Sequence, residues 1–149
     1  MRSFALAILV SGALASAALG APAKGSFGFF KTPSAKIFCQ WTTGGSPSAL
    51  VECGVTTGLK PPLPKTGDAC KHLDYVGNRI SLTVTGRPQL VPCAGDAGPF
   101  ADPAHSVLLR YGKKWNAPGL TCAEASSGLT CKNRSGHGFF MSLHSWRTF

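Results

Sequence analysis

One stretch of the chain gathers most of its reactive side-chain types: TCKNRSGHGFFMSLHSW, from Thr130 to Trp146. His137 stands between Gly136 and Gly138, with Asn133, Ser135 and Ser142 close by. A histidine that takes a proton from a serine, and is itself held by an amide or a carboxylate, is what a small hydrolase requires. No Gly-x-Ser-x-Gly elbow presents such a serine. The same residues also make a turn. Gly136 and Gly138 permit positive φ, and His137 and Asn133 can bond to nearby backbone or to each other. We therefore expect Asn133, Gly136, His137 and Gly138 to form a structural turn with no catalytic role.

Carboxylates are scarce, six in all: Glu52, Asp68, Asp74, Asp96, Asp102 and Glu124. A glycosidase needs two of them flanking one bond. Asp96 and Asp102 share a Gly/Pro-rich loop, but their spacing sets no geometry, and His72 and Asp74 share a face only in a strand. All four read as solvated surface. Phosphate-binding loops, dinucleotide fingerprints, His-Glu-x-x-His and calcium loops do not occur. Cys122, Cys131, His137 and His144 match no zinc spacing, and there is no Cys-x-x-Cys. Neither a metal nor a cofactor is expected.

The richest surface candidate combines LLRYGKKW with CKNRSGHGFF. If Leu108 and Arg110 face outward, Arg110, Lys113, Lys114, Lys132 and Arg134 would cluster beside Trp115 and Phe140. Cations beside aromatic rings suit an anionic polymer or glycan. The competing expectation is a solvated edge that Lys protects from pairing.

Short apolar runs with a period of two must position these residues, because no helical period persists. KIFCQW places Ile37, Cys39 and Trp41 on one face. LVECGV places Val51, Cys53 and Val55 inward and Glu52 outward. RISLTVTG alternates Ile80, Leu82 and Val84 against Ser81, Thr83 and Thr85, then turns at Gly86 so that QLVPC returns. SVLLRYG points Val107, Leu109 and Tyr111 inward, and GFFMSL points Phe139, Met141 and Leu143 inward and Phe140 outward. GLTC and GLTCKN are short strands of one hairpin. GLKPPLPKTGD and CAGDAGPFADPAH are loops, and ACKHLDYVGN holds a short helical turn.

Six cysteines, Cys39, Cys53, Cys70, Cys93, Cys122 and Cys131, allow about 15 disulfide pairings. KIFCQWTTGGSPSALVECGV and PGLTCAEASSGLTCKN share one plan: strand with Cys, Gly/Ser-rich turn, strand with Cys. That plan points to Cys39–Cys53 and Cys122–Cys131, which leaves Cys70–Cys93. Oxidised sulfur cannot serve as a nucleophile.

Fifteen Lys and Arg against six acids give a net charge of +9, spread along the chain. Such a balance favours anionic partners as well as solubility. Residues 1–20 read as a secretory signal, with Arg2 before an apolar run and cleavage after Gly20 or Ala23. Residues 24–149 then form one exported β domain with no transmembrane anchor. Export argues against nucleic acid as a physiological partner.

FKTPSAKIFC, LLRYGKKW, GLTC, GLTCKN and GHGFFMS together resemble a family of small secreted bacterial proteins of unknown function. Its pattern has Thr-Pro-Ser before a strand Cys and closes on Cys-x-Asn-x-x-Gly-His-Gly-Phe, here Cys131 to Phe139. Ser34-Ala35-Lys36-Ile37 stands where the pattern has Ser-Gly-Asn-Ile, so a left-handed turn is not expected there. The resemblance implies a secreted, disulfide-stapled β domain and brings no catalytic residues. The expected fold is all-β, a small antiparallel barrel or sandwich of hairpins with about seven or eight strands. The expected function is a non-enzymatic secreted binding module for an anionic envelope polymer or a protein, including inhibition of a hydrolase. A small hydrolase using His137 and a structural envelope protein are the alternatives.

Overall fold

A computed structural model describes residues 25–45, 48–64, 68–72 and 76–149. The expected signal at 1–20, its cleavage site, and Asp74 lie outside the described residues. The described chain is a sandwich of two sheets rather than a closed barrel. β1 (Ser26–Lys31), β2 (Ile37–Thr43), β3 (Ala49–Val55), β4 (Val76–Thr83), β5 (Gln89–Cys93) and β6 (Val107–Leu108) form the first, in the order β5-β4-β3-β2-β1-β6. β7 (Lys114–Ala117), β8 (Leu120–Ala125), β9 (Gly128–Asn133), β10 (Gly138–Met141) and β11 (Trp146–Thr148) form the second, in the order β11-β10-β9-β8-β7.

The alternating runs form the core as their periods require. Ile80, Leu82 and Val84 of the first sheet face Leu120, Leu129, Phe139 and Met141 of the second, and β3 and β4 pack across β8, β9 and β10. The expected disulfides are present: Cys39–Cys53, Cys70–Cys93 and Cys122–Cys131. Cys39 lies directly opposite Cys53, and Cys122 opposite Cys131, with Cα atoms 4.1 and 4.0 Å apart. Facing positions on adjacent antiparallel strands are what permit such a bridge. The two closed loops span 14 and 9 residues, and in the chain-entropy model each stabilises the fold by about 3 kcal/mol.

Four expectations about the fold need correction. Eleven strands are described, not seven or eight, because β1, β7 and β11 lack a readable alternation. The first sheet is not purely antiparallel, since β6 runs parallel to β1. β6 ends after Leu108, so its register does not carry Val107 and Tyr111 inward: both are exposed, and only Leu109 of the three is buried. A left-handed residue does occur after Ser34, with Ala35 at φ 52°. The turn hydrogen bond from Ala35 N–H to the Thr32 carbonyl (2.9 Å) and the start of β2 hold it there. Asp96 and Asp102 stay at the surface as expected, each paired there with a neighbour described below.

The outer face of the first sheet is covered by the loop after Cys93. Arg79 is buried and its guanidinium meets Glu52 at 2.9 Å and Asp96 at 2.8 Å. Desolvation raises the Glu52 carboxyl above its ordinary range, with Arg79 opposing the shift. Gly98 lies against the guanidinium, where a Cβ would overlap it. Phe100 packs on Phe38, with ring centroids 6.0 Å apart.

Candidate functional site

The second sheet presents its outer face without such a cover among the described residues. Its register aligns side chains from all five strands. Lys114 pairs with Ala123, Ala123 with Thr130, Thr130 with Phe140, and Phe140 with Arg147. The neighbouring row runs Asn116, Thr121, Lys132, Gly138. Phe149 closes that row through paired backbone hydrogen bonds with Gly138. Alternation places these residues outward, opposite Leu120, Cys122, Leu129 and Phe139.

Two cations on this face lie over aromatic rings. Lys132 Nζ is 5.4 Å from the Phe149 ring centre, and the Arg147 guanidinium is 4.9 Å from that of Phe140. Each contact holds its charge at the surface by attraction to the ring's negative face. Lys114, Thr121, Thr130, Lys132 and Arg134 also border a shallow depression of about 590 Å³ beside β7. Among the described residues no acidic side chain lies on the face, since Glu124 points inward from β8.

A second concavity, of about 610 Å³, opens between β1 and β7. Its walls are aromatic: Trp115 lies 5.5 Å from Phe30 and 5.7 Å from Trp41 by ring centroids. Trp41 lies against Gly28, its cross-strand partner, where a Cβ would come within 2.7 Å of the indole. Arg110, Lys113 and Lys114 form one rim. On another rim, Asp102 accepts hydrogen bonds from the His105 backbone N–H (3.1 Å) and pairs with His105 Nδ1 (2.8 Å). These contacts hold the Asp102 carboxyl below its usual range.

The expected cluster is thus divided between two surfaces. Arg110, Lys113 and Trp115 belong to the concavity, Lys132, Arg134 and Phe140 to the sheet face or its margin, and Lys114 borders both. The separation follows from alternation in β7, where Lys114 points out and Trp115 points in. Sequence reasoning missed Arg147 and Phe149, whose placement depends on β11. It also missed the Asp102–His105 pair, for which the local signal was an Asp, followed by Pro, three residues before the histidine.

The turn at His137 is held by the Asn133 side chain bonding to backbone. Asn133 Oδ1 accepts the N–H groups of Ser135 (3.0 Å) and His137 (3.1 Å), while Asn133 Nδ2 donates to the carbonyls of Thr83 (3.0 Å) and Gly86 (2.8 Å). Asn133 therefore ties the second sheet to the β4–β5 turn, and its amide is committed to backbone rather than to the imidazole. Ser142 is bonded within its own turn to Ser145 and His144. Gly136 has the expected positive φ, 82°. Gly138 does not; it is required because a Cβ would overlap the Cys131 carbonyl and meet the Phe149 ring at 2.8 Å.

Glu124 lies at the end of the space between the sheets, 4 % exposed, and Oε2 has no hydrogen-bond partner among the described residues. It borders a cavity of about 340 Å³ with Ser34, Tyr111 and Leu143. Desolvation pushes its carboxyl up to about 7. Among the described residues no group of three or more His, Cys, Asp or Glu could hold a metal ion.

No curated protein and no solved structure matches this chain. A family model described as a family of unknown function, DUF6636, matches residues 6–149. That span covers nearly the whole chain, which therefore belongs to this family of unknown function.

Proposed function

We propose that the protein is a non-enzymatic binding module, exported from the cytoplasm, whose second sheet holds an anionic envelope polymer on its outer face. The observation that carries this reading is the pair of registered rows, in which Lys114, Lys132 and Arg147 share one face with two aromatic rings and, among the described residues, no acidic side chain. Arg134 extends the charge at one margin.

Magnitude favours a polymer over a small anion. An exposed ion pair contributes about 0.2–1 kcal/mol. One contact of that size leaves a free anion unbound at ordinary concentrations, whereas a polymer that meets several cations at once adds their contributions within one binding event. Stacking on Phe140 and Phe149 restricts two of the cations beforehand, which lowers the entropy cost of holding a ligand. Export is supported by the three disulfides, a pattern of oxidising compartments. Among the described residues no helix is long and apolar enough to cross a membrane.

The test is salt elution of the oxidised protein from immobilised polygalacturonate and from neutral dextran. The wild type is expected to bind the acidic matrix alone. Lys132→Gln with Arg134→Gln should elute at clearly lower salt, while Lys36→Gln with Lys60→Gln, which removes equal charge elsewhere, should elute close to the wild type. Equal effects of the two double variants would reduce the binding to net charge and remove the site.

A further inference from the structure

The concavity between β1 and β7 has a feature that the charged face lacks: an open sheet edge. β1 pairs with β2 along its whole length, from Ser26 to Lys31. On its other side it pairs with β6 only at Phe30 and Lys31. The backbone from Ser26 to Phe29 therefore presents an edge that no strand covers among the described residues. The chain leading into β6 diverges here, and Lys31 Nζ fastens it by donating to the Pro103 carbonyl at 3.0 Å. The space left between is the concavity of about 610 Å³.

An uncovered edge with apolar surroundings is a template for another strand. Phe27 is 71 % exposed and Val107 69 %, with Leu108 exposed beside them. Proteins commonly blunt such an edge with inward charges or proline, and Ser26–Phe29 contains neither. The rim across the gap is cationic, made by Arg110, Lys113 and Lys114. None of these three has a carboxylate partner among the described residues, and the one acid on the concavity, Asp102, is engaged by His105.

We propose that this edge accepts an extended segment of a partner polypeptide as an added strand beside β1, and that the segment alternates apolar and acidic residues. Side chains alternate across a strand. On one face of the added strand, apolar side chains lie beside Phe27 and Phe29, which share the outer face of the first sheet and touch each other edge-to-face at 5.8 Å. On the other face, carboxylates enter the concavity toward Arg110, Lys113 and Lys114. The Ser26–Phe29 edge is four residues long, so it accommodates a segment of roughly 13 Å. A second copy of this chain fits poorly, since edge-to-edge pairing would bring two cationic rims together. The proposal shares Lys114 with the polymer reading and otherwise uses the concavity, not the outer face of the second sheet.

The probe is a synthetic octapeptide of alternating Val and Glu, mixed with the full oxidised protein. Hydrogen exchange should slow at those amides of Phe27–Phe29 that point away from β2. Replacing every Glu of the peptide by Lys, or placing a proline at its centre, should remove that protection. Arg110→Gln with Lys113→Gln, both exposed positions, should weaken the acidic peptide roughly tenfold. Unchanged exchange at Phe27–Phe29 overturns the proposal. So does equal binding by the proline peptide, which would show contact without strand addition. Equal binding by the Lys peptide removes the acidic partner and with it the assignment of the rim. Loss of peptide binding with polymer retention intact defeats this proposal alone.

Discussion

Replacing Glu124 by glutamine removes a carboxyl buried at the end of the inter-sheet space while keeping its size. In the folded protein that carboxyl holds its proton up to about 7, because burial opposes the charged form. In the unfolded chain it releases the proton near its ordinary 4.5. Between those values the native state binds more protons than the unfolded state, so stability falls as pH rises. Below the lower value both states are protonated and no penalty exists; above the higher value the penalty is complete. The gap corresponds to about 3 kcal/mol, a large share of the stability of a domain of this size. Urea unfolding of both proteins with disulfides intact, from about pH 4 to about pH 8.5, reads this directly. Glu124→Gln should gain on the wild type by about 3 kcal/mol across that range, whatever constant offset the buried amide introduces. Glu52 titrates in both proteins and cancels in the difference. A difference that stays flat with pH would refute the reasoning.

Four further outcomes follow from local contacts. Asn133→Ala leaves the Thr83 and Gly86 carbonyls and two turn N–H groups without their partner, and should cost about 3 kcal/mol in chemical denaturation; His137→Gln, whose turn contacts run through backbone, should change stability by less than about 0.5 kcal/mol. Ala35→Gly relieves a side chain at positive φ and should stabilise by up to about 1 kcal/mol, read in the same assay. Gly98→Ala drives a methyl into the Arg79 guanidinium, separating a buried charge from its carboxylates, and should lower stability by about 3 kcal/mol or more.

How much of this was legible beforehand depended on how local each feature is. Ile80, Leu82 and Val84 announced a strand because alternation is written in neighbouring residues, and Cys39 opposite Cys53 was readable because a hairpin brings its own arms together. SFGFFK gave no such signal: its aromatic residues occupy both faces and a glycine interrupts them. Val107 and Tyr111 were misplaced because alternation holds only while the strand continues, and β6 stops after two residues. The Arg79 cluster joins residues from β3, β4 and a loop, so only tertiary structure assembles it. The charged face was half legible. Lys114, Lys132 and Phe140 were recognised as candidates by type, but their alignment with Arg147 and Phe149 is set by register across five strands. His137 drew attention through its residue type, whereas the neighbouring Asn133 holds the turn.

The most direct test of the binding reading is a residue-level map of where an acidic glycan touches the oxidised protein. Amide chemical shifts followed while a short oligogalacturonide is added at low salt should move at Lys114, Thr121, Thr130, Lys132 and Arg134 and remain still at Lys36 and Lys60. Shifts scattered over every cationic segment, or centred on the Asn133–His137 turn with the sheet face unmoved, would contradict it.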